Sequence, residues 1–172
     1  MRVSRREFLK VTSSTAVARA FVNRINHSSK STEAAPLSDP AKSIDLCFMS
    51  ARELATLIHS RKLTAREVMA AYLGQINRLN PKVNAIVAKL DDDQCLALAD
   101  EADLLMARRE RVGPLHGLPI AFKDLEAAVG FPWTRGSRIY RNDMPTEDTV
   151  LVERLRKAGV VPIGKTNVPE FG

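Results

Sequence analysis

The chain is poor in cysteine. Its two thiols, Cys47 and Cys95, lie far apart, with no Cys-x-x-Cys pair and no histidine at ligand spacing. That pattern speaks against a zinc site and for two ordinary buried thiols. No apolar run reaches the roughly 18 residues that a membrane-spanning helix needs, and no segment repeats. Charge is scarce in a different sense, because the body of the chain has no excess of either sign. Of the 26 basic and 20 acidic side chains in these 172 residues, seven basic and one acidic fall within residues 1–31, which accounts for the whole formal net charge of +6. The remainder is neutral and lacks the basic face that nucleic-acid binding requires, so no nucleic-acid partner is expected. What is plentiful is apolar surface: 45% of residues are hydrophobic, enough to bury a core and to exclude global disorder.

The N-terminus reads as an export signal. Ser4-Arg5-Arg6-Glu7-Phe8-Leu9-Lys10 fits a twin-arginine pattern, and Val11 to Ala18 follows as a mildly apolar stretch. Ala16-Val17-Ala18 and Ala18-Arg19-Ala20 resemble small-residue cleavage sites. A basic start, an apolar middle and a small-residue end make a signal peptide. Arg5 and Arg6 would then engage the Tat export machinery, giving an exported, periplasmic or extracytoplasmic protein. A basic tail on a cytoplasmic protein is the alternative, since the apolar stretch is short, rich in Ser and Thr, and interrupted by Arg19. Residues 26–43 are rich in Ser, Ala, Pro and Lys and read as a linker. The domain is therefore placed at 44–172, after a signal peptide and linker over 1–43.

Within that domain, Ser50-Ala51-Arg52-Glu53 and Thr64-Ala65-Arg66-Glu67 are capping boxes that open two helices. The second carries Val68, Tyr72, Ile76 and Leu79 on one stripe, and Asn80-Pro81 is expected to end it. Val83 to Leu90 is a strand candidate. Asp91-Asp92-Asp93 then starts a helix running to about Arg109, with acids at its positive end and Arg108-Arg109 at its negative one. The three aspartates read as a solvated helix terminus, not a metal site. After the turn Gly113 to Gly117, Leu118 to Phe122 is an apolar strand, and Gly130 to Tyr140 a loop. Asp148 is expected to cap a helix over Thr149 to Ala158 that turns Val152, Leu155 and Val150/Leu151 inward. Gly159 sits where a C-terminal glycine belongs, and Val160 to Ile163 is a buried strand. Helix, glycine, apolar strand, glycine is the grammar of an α/β layered fold with parallel strands.

Two lysines stand at strand ends. Lys123 closes the run Leu118-Pro119-Ile120-Ala121-Phe122, and strand ends are where α/β folds place chemistry. It is either a surface charge or a base held in a dry site. Lys165 lies in Gly159-Val160-Val161-Pro162-Ile163-Gly164-Lys165-Thr166, which satisfies the phosphate-loop pattern Gly-x-x-x-x-Gly-Lys-Thr and raises nucleotide binding as a competing function. A phosphate loop, however, follows a strand and wraps backbone amides around phosphates. Here a helix precedes Gly159, the four intervening residues look like a strand, and Pro162 has no N–H to offer.

From about Ser50 to Gly172 the chain resembles the amidase signature family. The resemblance rests on four stretches in the family's order. These are Thr64 to Val68 with Asn80-Pro81 and Asn84-Ala85; Gly113-Pro114-Leu115-His116-Gly117-Leu118-Pro119 with Phe122-Lys123-Asp124; Thr134-x-Gly136-Ser137; and Leu155 to Gly159 with Gly164-Lys165-Thr166-Asn167 and Glu170-Phe171-Gly172. The resemblance implies the N-terminal part of a large mixed sheet covered by helices on both faces. It implies an enzyme that hydrolyses a small-molecule carboxylic amide with a serine nucleophile, a second serine in a cis peptide bond, and a lysine, without cofactor or metal. The lysine that matches is Lys123. A lysine acts as a base near neutral pH only if burial lowers its pKa from about 10.4, and the apolar strand before it offers such surroundings. The same resemblance marks Lys165 as structural.

The family's two serines belong to a Gly-Gly-Ser-Ser-Gly-Gly segment after the Glu-Phe-Gly match, and these 172 residues contain none. Ser50 and Ser137 lie in the wrong motifs to replace them. The chain is thus expected to be an N-terminal fragment, inactive alone, with an unfinished sheet edge. Asp124 reads as structural and His116 as a hydrogen-bonding turn residue; Trp133 either lines a pocket or packs the loop. The glutamine-hydrolysing subunit of a tRNA-dependent amidotransferase is the rival inside the family, and a non-functional remnant the alternative outside it.

Overall fold

The computed structural model describes residues 45–172. The expected signal peptide and linker over 1–43, with Arg5 and Arg6, lie outside the described residues. Both capping boxes form. Ser50 opens helix α1 (Ala51–His59) and Thr64 opens α2 (Ala65–Val83), each accepting from the amide of the glutamate three residues on, which binds back. The α2 N-terminus is closed further by a distant residue: the Asp103 carboxylate accepts from the amides of Ala65 at 2.8 Å and Arg66 at 3.0 Å. Pro81 does not end α2 as expected. A proline near a helix end forfeits one hydrogen bond, and the helix runs on to Val83, where Asn84 takes a left-handed conformation (φ 48°) and donates to the Asn80 carbonyl at 2.7 Å. The Asn80 side chain is engaged beyond the helix, binding the N–H and C=O of Ile86 at 2.8 and 2.9 Å.

Strand β1 (Ile86–Lys89) is shorter than the candidate, and α3 (Asp92–Ala107) follows it. Asp92 at its start binds Lys89 and Asn77. After the glycine turn come β2 (Pro119–Lys123), a 3-10 turn (Arg138–Tyr140), α4 (Val150–Lys157) and β3 (Val161–Thr166). Thr149, not Asp148, caps α4. Asp148 instead accepts from the amide of Val129 at 2.7 Å and pairs with Arg156 at 2.9 Å. Val150 and Leu151 also point outward, 63% and 52% exposed, because the 100° step of the helix leaves only Val152 and half-buried Leu155 against the core.

The sheet has the order β1-β3-β2, with β2 parallel and β1 antiparallel to β3. It is mixed, as the family resemblance implies, and not purely parallel as the helix–strand alternation suggested. Met69, Leu73, Cys95 and Ala99 of α2 and α3 pack on Val161 and Ile163 of β3. Phe122 packs with Val152, Ala128 and Phe131, alongside Ile120 and Leu155. Ile120 is in register with Pro162, on the opposite side of β3 from Val161 and Ile163, so helices cover both faces. No helix among the described residues is long and apolar enough to cross a membrane.

Candidate functional site

The parallel pair β2–β3 sets the geometry. Its register runs from Pro119 against Val161 to Lys123 against Thr166, so both strands end together and leave those two residues side by side at one rim. Open strand ends of a parallel pair are the ordinary place for a site in an α/β sheet. Lys123 is there, as expected, but exposed. Strand alternation explains this: Phe122 turns into the core, 3% exposed, and its successor, the last residue of β2, turns the opposite way at the strand's open end.

The lysine that the described residues do bury is Lys165, 0% exposed. Its ammonium donates to the carbonyl oxygens of Glu126 at 2.5 Å and Pro132 at 3.4 Å, and lies 3.3 Å from Asp124 Oδ1. Burial pulls its pKa below the ordinary lysine value, while Asp124 opposes that shift. A slip of register between Ile120 and Ala121 brings it there. Simple alternation would place Lys165 on the face of Val161 and Ile163, but past the slip it registers with Phe122. The residue pattern puts both lysines at strand ends and marks Lys165 as structural. It does not assign burial, because the slip leaves no residue signature beyond a glycine at 164.

Asp124 is buried and structural. It accepts from the Thr134 amide at 3.2 Å and from the Thr134 hydroxyl, besides pairing with Lys165. Ser137 is buried, donates to Glu170 Oε1 at 2.7 Å and caps the 3-10 turn. His116 is a buried turn residue whose Nε2 donates to the Ala102 carbonyl at 3.0 Å. Trp133 both packs and lines: its indole N–H donates to the Leu125 carbonyl at 3.0 Å, and it borders a surface cleft with Asp143, Met144 and Thr146. No residue pattern announces the stack in which the Arg135 guanidinium lies 3.7 Å from the Trp133 ring centre and 4.1 Å from that of Tyr140. The phosphate-loop match is a strand: Val161 to Thr166 pair with β2, and Gly164 to Thr166 pair with β1 as well, so the segment is extended sheet rather than a loop wrapped around a phosphate.

These features define an α/β protein whose lysine-bearing rim lies at the ends of two parallel strands. A family model described as Amidase matches residues 67–172. Among curated proteins, the chain is 41% identical over 127 residues to the A-type subunit of the glutamyl-tRNA(Gln) amidotransferase of Acidothermus cellulolyticus, covering 74% of this chain and 25% of that one. It is 38% identical over 128 residues to an acylamidase of Rhodococcus erythropolis, covering 74% and 27%. Among solved structures, a bacterial aryl acylamidase of the amidase signature enzymes superimposes with a TM-score of 0.66 at 27% identity, over 73% of this chain and 26% of that one. The chain belongs to the amidase signature family. It spans about a quarter of the length of the curated relatives it matches.

Proposed function

We propose that this chain is the lysine-bearing part of an amidase, an enzyme that hydrolyses carboxylic amides to acid and ammonia or amine by a Ser-cisSer-Lys mechanism. One observation carries the reading: the residue matching the family's lysine, Lys123, stands at the open C-terminal rim of the parallel strand pair, beside Thr166. Its amine accepts a proton from the bridging serine as that serine takes one from the nucleophile. The nucleophile oxygen then bonds to the amide carbon, the C–N bond breaks, and the leaving nitrogen takes the proton back. Water hydrolyses the resulting ester. Backbone N–H groups near the nucleophile hold the oxyanion. The Gly-Gly-Ser-Ser-Gly-Gly segment that would supply these serines is not among these 172 residues. The chain alone is therefore expected not to turn over amides, and residues 1–43 are proposed to direct export.

The test is amide hydrolysis by the protein as its gene encodes it. Lys123→Met should lower turnover by about 10²- to 10⁴-fold, the usual contribution of a positioned acid–base group. Because Lys123 is exposed, the variant is expected to keep its fold. Undiminished turnover overturns the reading, and serine-dependent hydrolysis by the isolated 172-residue chain refutes its inactivity.

The glutamine-hydrolysing subunit of a tRNA-dependent amidotransferase is a second reading. It is favoured by the 41% identity to a relative of that name. Preference for glutamine over acylamides would select it; delivery outside the cytoplasm would remove it.

A further inference from the structure

The geometry points to Lys165 as a positioning residue for the reaction proposed at Lys123, acting as a buried cationic clamp on the rim that carries it. This rests on the reading of Lys123 as the proton acceptor. The turn leaving β2 begins at Lys123, whose carbonyl accepts from the Glu126 amide at 2.9 Å. Lys165 holds the far end of that turn through the Glu126 carbonyl at 2.5 Å, and its middle through Asp124 at 3.3 Å. Asp124 is fixed from the strand side as well, its amide donating to the Thr166 carbonyl at 3.3 Å.

The clamp extends outward. Asp124 binds the amide and hydroxyl of Thr134, the Thr134 carbonyl accepts from the Ser137 amide at 2.9 Å, and the Ser137 hydroxyl reaches Glu170 at 2.7 Å. Lys165 also holds the Pro132 carbonyl at 3.4 Å at the start of that loop. One ammonium thus joins the turn after β2, the 132–137 loop and, through Ser137, the segment after β3. These three segments converge on the rim where Lys123 and Thr166 end their strands. An ammonium suits this task because its three donors serve two carbonyls and a carboxylate at once. A neutral side chain of equal length would leave the half-buried Glu126 and Pro132 carbonyls without this donor and the buried Asp124 carboxylate without its cation.

The test compares wild type, Lys165→Met, Lys165→Arg and Asp124→Asn, by amide hydrogen exchange on the 172-residue chain and by steady-state kinetics on the protein as encoded. In Lys165→Met, exchange at Glu126, Thr134 and Ser137 should rise about tenfold or more, the loss of a charge-assisted hydrogen bond. Exchange at Met69 and Ala99 should stay at its wild-type rate. kcat should fall about 100-fold, the cost of a misplaced group, with KM within about twofold. Lys165→Arg should recover part of kcat, and Asp124→Asn, which keeps its volume, should loosen the same amides less. Exchange that rises equally in α2 and α3, or wild-type exchange at the rim, overturns the clamp. If Lys123→Met lowers turnover as proposed while Lys165→Met leaves kcat at its wild-type value, the clamp alone fails. If turnover survives Lys123→Met, the catalytic reading fails and the exchange pattern still decides the clamp.

Discussion

Gly164 and Ala88 meet so closely across the β1–β3 pair that a Cβ at residue 164 would stand 2.2 Å from the Ala88 carbonyl oxygen. Backbone cannot yield as a side chain does, so Gly164→Ala must push the strands apart. The expected cost is at least the about 1–3 kcal/mol of an overpacked site. Denaturant unfolding reads it, and β1 should lose protection first, since Gly164 registers with Lys89. Stability within about 0.5 kcal/mol of wild type, the usual effect of a neutral surface change, would show that β1 does not sit as described.

Asp103 closes the N-terminus of a helix that begins 38 residues before it, by binding the amides of Ala65 and Arg66. With Thr64 taking the Glu67 amide at 3.0 Å, the first three amides of α2 all have acceptors. Asp103→Ala should cost about 1–2 kcal/mol, the range for losing a capping oxygen. Asp103→Asn keeps one acceptor and should cost less. Equal stability of both variants with wild type would remove the cap.

How much of this is legible in the sequence follows from the range of each interaction. Both capping boxes, the Gly159 terminus and the apolar strands are visible because their causes lie within four residues. Asp148 misleads for the same reason: it has the chemistry of a cap, but Val129 and Arg156, away from the helix start, claim its oxygens. The outward turn of Val150 and Leu151 and the exposure of Lys123 are hidden because burial depends on what packs above a face. The place of Lys123 at a strand end is readable, whereas the slip that buries Lys165 on the Phe122 face is not, being a property of paired strands together.

Cys95, on α3, is buried against α2 and β3, and that burial pushes its thiol from the ordinary 9.0 up to about 11. Below pH 9 the thiol is protonated in both folded and unfolded chains, and its burial stabilises fully. Between pH 9 and about 11 the unfolded chain loses its proton first, so stability is lost as pH rises. The loss reaches about 2 kcal/mol by pH 11, at about 1.36 kcal/mol per unit in the limit. Wild-type stability should fall more steeply over that window than that of Cys95→Ala; parallel slopes would refute the shift. At neutral pH a thiol reagent should label half-exposed Cys47 well before Cys95, whose labelling waits on opening of the α2–α3 core.

Residues 1–31 carry the whole net charge of the chain ahead of a neutral remainder, an asymmetry that suits a leader more than a working surface. The paired Arg5 and Arg6, the short apolar stretch to Ala18 and the small-residue sites beside it support delivery of an already folded protein by the Tat route. Fused to a reporter that matures only in the cytoplasm before export, residues 1–43 should carry it across the membrane. Arg5→Lys with Arg6→Lys should hold it back, since lysine keeps the charge but not the planar guanidinium. A reporter retained in the cytoplasm in both cases would sink the export reading, and would leave glutamine hydrolysis for a cytoplasmic tRNA-dependent partner as the better account of the same lysine-bearing rim.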